Sequence, residues 1–390
     1  MLSKAETVII GGGCVGTSIA HHLTKMGSSG VVLLEKGYLA WGATGKSSAI
    51  VNMGVWNVSK PLAKMLVESL GIFHNFADAV GGDSGFTQTG WMGLAGPAQV
   101  ARIEEAVHLQ NETGAHSQLL SSQELKELEP RIFADDVRIG IYEPTSGYAD
   151  PVKTTNAFAR QAEKNGAQIL TGVQVNRIMT ENGQVSGVET NQGTVKASKV
   201  VCAANVWARE LLAKLNVNIP IEPTRKQVCL FKRPTDFGKA HMITDDFVAD
   251  IYMKPEGEQT LVGEIESPGS PMNPDSYNEG IDSDTVLKYS QKVVHRFPAL
   301  GAAISRGGYS GPYDVSPDGH PILDEIPGIK GLYCAVGMSG HGFRFSPVTG
   351  RLVSEFILRG KTTGVDIREF RLSRFAEGKP IISTIRQGSR

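Results

Sequence analysis

Two glycine-rich stretches hold the residues whose types and spacing point to chemistry. Gly11-Gly12-Gly13-Cys14-Val15-Gly16 fits G-x-G-x-x-G, and Glu35 follows 19 residues after Gly16. In such a turn Gly11 bends the chain, Gly13 lets a pyrophosphate approach the backbone, and Gly16 lets helix and strand pack closely. A helix N-terminus after the turn presents free N–H groups and a partial positive charge to phosphate. Glu35 supplies a carboxylate for two ribose hydroxyls and disfavours a 2′-phosphate, although Lys36 beside it softens that repulsion. The second stretch, Gly337-Met338-Ser339-Gly340-His341-Gly342-Phe343-Arg344, ends in a guanidinium, whose fork matches a carboxylate bidentately.

These turns need elements to hold them. Thr7–Ile10 reads as a buried parallel strand and Val31–Leu34 as a second. Between them Ile19, Ala20, Leu23 and Met26 share a helical face, and Gly27 is the stop. The fingerprint therefore sits in a strand–turn–helix–strand unit, which implies a dinucleotide site. Gly331–Val336 predicts a further strand. After it, Ser346 reads as an N-cap and Pro347 as the first residue of a helix with Val348, Leu352, Val353, Phe356 and Ile357 on its apolar face; Gly360 closes it. Adjacent His21 and His22 point about 100° apart on a helix and cannot chelate one metal. They read as surface or edge residues, and no metal site is expected elsewhere.

Three segments favour a flavin over a nicotinamide dinucleotide. Gly42-Ala43-Thr44-Gly45-Lys46-Ser47-Ser48 concentrates small residues, hydroxyls and one cation, as a second phosphate-contacting segment would; P-loop spacing is absent. Lys199–Asn205 reads as a strand running into small residues, with Trp207 beyond. Strand-like runs at Gly172–Ile178, Val185–Thr190 and Thr194–Val195 precede it, separated by turns at Asn182-Gly183 and Gln192-Gly193. A meander of three strands in that place is unlike a plain NAD domain. Finally, the second helix N-terminus would stabilise the negative charge that a reduced flavin carries around N1 and its C2 carbonyl.

Composition sets the frame. At 390 residues the chain predicts two or three domains, given about 150 residues per domain. Hydrophobic residues make up 41%, enough for a large core, which excludes disorder. Its 39 basic and 40 acidic residues nearly cancel, which argues against nucleic acid as a partner. No apolar run reaches the roughly 18 residues of a membrane helix, and Met1–Glu6 lacks the pattern of a signal peptide. Four scattered cysteines without a CxxC pair read as buried, reduced thiols. A cytoplasmic protein is expected. Gln227–Lys232, Asp250–Lys254 and Thr260–Gly263 suggest an antiparallel sheet, Ser283–Arg296 a helix, and the Pro- and Gly-rich Glu266–Pro274 a loop. The tail after Phe375 has no period.

GGGCVG, GATGKSS, AANVW (Ala203–Trp207), SPDGHPIL (Ser316–Leu323) and GMSGHGFRFSPVTG (Gly337–Gly350) spread over nearly the whole chain. In these motifs the sequence resembles the amino-acid-oxidase family of flavoproteins, which includes D-amino acid oxidase, glycine oxidase and the sarcosine oxidases, and is nearest the sarcosine oxidase branch. The resemblance implies an α/β fold, with a Rossmann-type FAD-binding domain interleaved with an antiparallel-sheet (α+β) substrate domain. The first would comprise residues 1–85, 146–220 and 310–375, the second 86–145 and 221–309, leaving 376–390 as a tail. It implies FAD bound non-covalently, since Gly311 stands about where monomeric sarcosine oxidase carries its flavin-linked cysteine.

The implied reaction takes a hydride from the carbon next to nitrogen to flavin N5; the imine then hydrolyses to an oxo acid or aldehyde plus amine, with O2 giving H2O2. Arg344 is the expected carboxylate anchor, where relatives carry lysine. Tyr313 and Tyr252 would hydrogen-bond a small amino-acid substrate, and His341 would act by position and charge. The expected cofactor contacts are Gly11, Gly13, Cys14, Val15, Gly16, Glu35, Lys36, Thr44, Gly45, Lys46, Ser47, Ser48, Val175, Ala204, Trp207, Gly340, His341, Gly342, Phe343 and Arg344. Two departures matter. Asn52 falls where sarcosine oxidases carry a second substrate-binding arginine, and Leu261 falls near their lysine linked to oxygen activation. An oxidase is expected ahead of a dehydrogenase. The alternatives are an FAD-binding subunit of a hetero-oligomeric amine dehydrogenase or oxidase complex passing electrons to an acceptor other than O2, and an NAD-dependent dehydrogenase; the chain is expected to form a homo- or hetero-oligomer.

Overall fold

The computed structural model describes residues 3–54, 59–266 and 269–382. Its first layer is a six-stranded sheet in the order Ile322–Glu325, Leu332–Val336, Lys199–Cys202, Thr7–Ile10, Val31–Glu35, Gln168–Thr171. All neighbours run parallel except the first pair, which is an antiparallel hairpin. Thr7–Ile10 sits inside the sheet, buried on both faces, as its unbroken β-branched run requires. On one face lie the helices Cys14–Lys25, Lys60–His74, Pro151–Lys164 and Gly342–Arg359; on the other lies a meander of Val175–Glu181, Gln184–Thr190 and Gly193–Lys196. Asn182 and Gly183 take positive φ (50° and 73°) at the first meander turn, as its tight geometry demands.

The second layer is a nine-stranded sheet. Its order is Ser270–Pro271, Glu222–Lys232, Gln259–Gly263, Ile251–Glu256, Ile243–Asp246, Trp91–Ala95, Ile139–Glu143, Gln118–Leu120, with Ile304–Val315 also paired to Glu222–Lys232. The helix Ser283–Arg296 covers one face with Met92, Leu94, Cys229, Phe231, Met253 and Val262. Arg296 is buried there in ion pairs with Asp246 (2.6 Å) and Asp136 (2.9 Å). Among the described residues no helix is long and apolar enough to cross a membrane.

Several local expectations are corrected. The sheet expected to be antiparallel contains one parallel pair, Trp91–Ala95 with Ile243–Asp246. The run Gly172–Ile178 is split: Gln168–Thr171 edges the parallel sheet, Gly172 turns at φ 70°, and Val175 opens the meander. The last long helix begins at Gly342 with His341 as its N-cap, so Ser346 and Pro347 lie inside it. Pro347 has no N–H for the Phe343 carbonyl, and the Ser346 hydroxyl donates to that carbonyl instead (2.8 Å).

His21 and His22 are not surface residues. The helices Pro151–Lys164 and Gly342–Arg359 pack against theirs and leave them 2% and 9% exposed, with His21 5.6 Å from the Phe158 ring. Burial lowers their pKa values to about 4 and about 3, so both are neutral. All four cysteines are buried and unpaired. Part of the Glu266–Pro274 loop, Ser267 and Pro268, lies outside the described residues, as do residues 383–390 of the tail. The tail's start is anchored without any periodicity: buried Arg374 pairs with Asp318 (2.8 Å), and Asp318 also accepts the Ile381 N–H.

Candidate active site

A long cavity opens at the carboxyl ends of Thr7–Ile10, Val31–Glu35 and Lys199–Cys202, where an open parallel sheet places its ligands. Gly11 turns the chain there at φ 115°, and a side chain on it would strike the Ala203 carbonyl. A side chain at Gly16 would overlap the Gly11 carbonyl oxygen, so Gly16 packs the turn and does not line the cavity. The helix Cys14–Lys25 has no side-chain N-cap; the Cys14 N–H donates to Thr44 Oγ1 (3.2 Å), and the next amides remain for a ligand.

Glu35 closes this end. Its Oε2 accepts the Gly12 N–H and its Oε1 the Gly37 N–H, both at 2.7 Å. An ionised carboxylate has about four acceptor sites, so two remain for ribose hydroxyls. Gly12, which motif reading passed over, allows this: a Cβ there would press on the Glu35 side chain.

Lys36, Thr44, Ser47, Val175, Ala204 and Trp207 line the middle of the cavity. Asp275, in a turn beyond the edge strand Ser270–Pro271 of the second sheet, was missed by the sequence because nothing local marks it. Its Oδ1 accepts the Trp207 Nε1–H (2.7 Å) and pairs with Lys36 Nζ (3.0 Å), which sits 3.8 Å above the Trp207 ring. Lys46 is corrected as a phosphate contact: its ammonium is held by the Tyr277 hydroxyl (2.7 Å) and Glu279 (2.8 Å), away from the cavity. Gly45 packs on Ala40, and Ser48 hydrogen-bonds Tyr252, so neither lines the cavity.

The far end is built by Tyr313, Asp314, Gly340, Gly342 and Phe343. The two glycine-rich turns meet there, with Cys14 Sγ 4.0 Å from the Gly342 carbonyl oxygen. Buried Asp314 fixes the second turn by accepting the Gly337 N–H (2.7 Å), and burial raises its pKa to about 6. Gly340, at φ 87°, lies under the Tyr313 ring, and Gly263 lies under the Tyr252 ring. Burial pushes the Tyr252 phenol well above its usual range and raises that of Tyr313, so both are hydroxyl donors at neutral pH.

Arg344 lies just past this end, in the first turn of the helix, and neither it nor His341 lines the cavity, so both are corrected as cofactor contacts. Its Nη1 donates to Asn52 Oδ1 (2.5 Å) and its Nη2 to His341 Nδ1 (3.0 Å). A guanidinium has no acceptor, so His341 is the tautomer with its proton on Nε2. Asn52, where relatives carry an arginine, thus orients Arg344 instead. Burial lowers the guanidinium to about 10, opposed by the carboxyls of Asp245 and Glu143. Those two acids come from strands of the second layer and were also missed, since only strand pairing brings them here. Leu261 is buried and apolar.

The cavity joins the uncapped helix, the ribose-reading acid and the second helix N-terminus in one channel, which fits an extended flavin dinucleotide. A family model described as FAD dependent oxidoreductase matches residues 6–356. The chain is 28% identical over 376 residues to human mitochondrial dimethylglycine dehydrogenase, covering 92% of itself and 43% of that relative. It is 26% identical to the glycine oxidase of Geobacillus kaustophilus, covering 96% and 98% respectively. The structure of L-proline dehydrogenase from P. horikoshii matches with a TM-score of 0.89 at 29% identity, over 98% of this chain and 100% of that one. The chain spans less than half the length of the dimethylglycine dehydrogenase it matches. With the fingerprint, the cavity and a match over nearly its whole length in agreement, the chain belongs to the FAD-dependent oxidoreductase family.

Proposed function

We propose that the protein oxidises the C–N bond of a small amino acid or N-substituted glycine, such as glycine, sarcosine or iminodiacetate, with non-covalent FAD as cofactor. The observation that carries this reading is Arg344: a guanidinium oriented by Asn52 and His341 at the flavin end of the cavity, with its Nε–H unpartnered among the described residues. A substrate carboxylate fits that unused donor edge. In this reading Tyr313, which lines the cavity, and Tyr252 offer hydroxyls to the substrate. The relatives point the same way, all three being oxidases or dehydrogenases named for small amino acids. In this reading residues 1–85, 146–220 and 310–375 form the cofactor domain, and 86–145 and 221–309 the substrate domain.

When bound, FAD supplies a two-electron acceptor. The chain's own contribution is to clamp the carboxylate, fix the reacting carbon over the cofactor and exclude bulk water. Anaerobic titration of the yellow holoenzyme with glycine, sarcosine, dimethylglycine, iminodiacetate and proline tests this. Bleaching by at least one of them is expected; persistent oxidised colour across the set overturns it. Readmitting air then separates O2 as acceptor, with colour and peroxide both appearing, from a second reading. In that reading the chain is the FAD-binding subunit of a larger dehydrogenase; buried, apolar Leu261 at the oxygen-linked position and the partial span of the dehydrogenase relative favour it.

A further inference from the structure

The substrate end holds more charge than carboxylate binding needs. Trp91 is paired with Glu143 across one strand boundary, and Asp245 with Tyr252 across another. By strand alternation all four lie on the sheet face opposite the Arg296–Asp246 pair, the face that meets Arg344. Asp245 and Glu143 are the charges that face the guanidinium, yet among the described residues neither reaches it as an ion pair. Glu143 is 2% exposed; its Oε2 accepts the Met53 N–H (2.9 Å) and the Ser146 hydroxyl (2.6 Å), the Gly54 N–H also faces the carboxyl, and Oε1 has no partner of hydrogen-bond geometry among the described residues. Asp245 Oδ1 is likewise sealed and unpartnered, with the Trp91 indole N–H facing it at a geometry too poor for a hydrogen bond. The rest of Asp245 keeps some accessible surface. Buried polar atoms are nearly always paired, so unpaired carboxylate oxygens in the same charged cluster as an unpaired guanidinium N–H leave one acceptor set and one donor in want of a partner.

We propose that Asp245, positioned by Glu143, accepts the proton of the substrate's ammonium group before oxidation. This rests on the reading above that the substrate is an amino acid. Its carboxylate takes Arg344, and its ammonium takes the acid pair, so each buried charge gains a counter-charge. The N–H bond breaks heterolytically, the proton forms an O–H bond on the Asp245 carboxylate, and the electron pair stays on nitrogen. No oxidant is needed for this step. The freed lone pair then supports positive charge at the neighbouring carbon as oxidation proceeds.

The electrostatics suit the task. Burial raises both acids to about 7, where a proton acceptor is most useful at neutral pH. Arg344 lowers Asp245, and Glu143 raises it. Of the other titratable groups near the site, Tyr252 and Tyr313 are uncharged phenols, and the Lys226 ammonium lies 5.8 Å over the Tyr313 ring.

The holoenzyme with Asp245→Asn tests this. With the amine found to bleach the flavin, the limiting anaerobic reduction rate should fall by about 100-fold or more. Glu143→Gln removes a charge that raises Asp245, so the acid limb of the reduction rate should move down by about one pH unit. A structural role alone would not move that limb. Glycine betaine has a fixed cation and no N–H proton. Its binding, followed by the visible flavin spectrum, should tighten in the wild type as pH rises through 7, and that dependence should weaken in Asp245→Asn, where Glu143 alone still titrates. Methoxyacetate, uncharged at that position, should bind both within about threefold. Wild-type reduction rate and pH profile in Asp245→Asn, an unmoved limb in Glu143→Gln, or pH-independent betaine binding in the wild type overturns the proposal. If Asp245→Asn does not retain FAD, the last two measurements decide. If no amine bleaches the wild type, the functional reading fails, while betaine binding still reports on Asp245.

Discussion

The two ends of the cavity are made in different ways. The Gly11–Gly16 end is backbone: a positive-φ glycine, uncapped amides and one acid held by two N–H groups. The Arg344 end is side chains: a guanidinium, two phenols and two carboxyls from five separate elements. A backbone site is encoded by a short contiguous segment, because peptide geometry alone sets its donors. A side-chain site is encoded by the pairing of distant strands.

Substitutions at each end sharpen that contrast. Gly16→Val drives a side chain into the Gly11 carbonyl, which cannot move without opening the turn. We expect the largest effect here: protein purified without flavin, read from its 450 to 280 nm absorbance ratio. Arg344→Met should instead keep its flavin and lose about 100-fold in kcat/KM, from about 2–3 kcal/mol of charge-assisted hydrogen bonding. A colourless Arg344→Met protein would break the separation of the two ends.

The histidine pair bears on the helices behind both ends. Burial holds His21 near 4 and His22 near 3, below the ordinary 6.5. The unfolded chain therefore binds more protons than the fold between about pH 3 and 6.5. Stability is complete above 6.5 and falls as pH drops below it. Tm should decline by a few degrees from pH 7 to 5, and His21→Leu/His22→Phe should flatten that decline, read by thermal melts at several pH values. Asp275→Ala should give the smallest effect, about threefold weaker FAD binding at low salt and none at high salt, since the tie is a partly exposed ion pair.

What the sequence disclosed follows the same division. Thr7–Ile10, the turn and Glu35 were legible because strand, glycines and acid lie within thirty residues with a fixed period. Arg344 was legible by its position after the second turn. Glu143 and Asp245 were not, because their meeting depends on the registers Trp91–Glu143 and Asp245–Tyr252, which no local pattern records. The start of the last helix was misplaced because Ser346-Pro347 imitates an N-terminus; a serine hydroxyl covers the carbonyl that proline leaves. His21 and His22 were misjudged because helical spacing reveals one buried face, while here helices close on both sides.

The carboxylate of Asp275 belongs to the chain segment leaving the nine-stranded sheet, yet it fastens onto the indole and ammonium that line the cofactor cavity. One side chain thus joins the two layers of the molecule across the rim of the cavity.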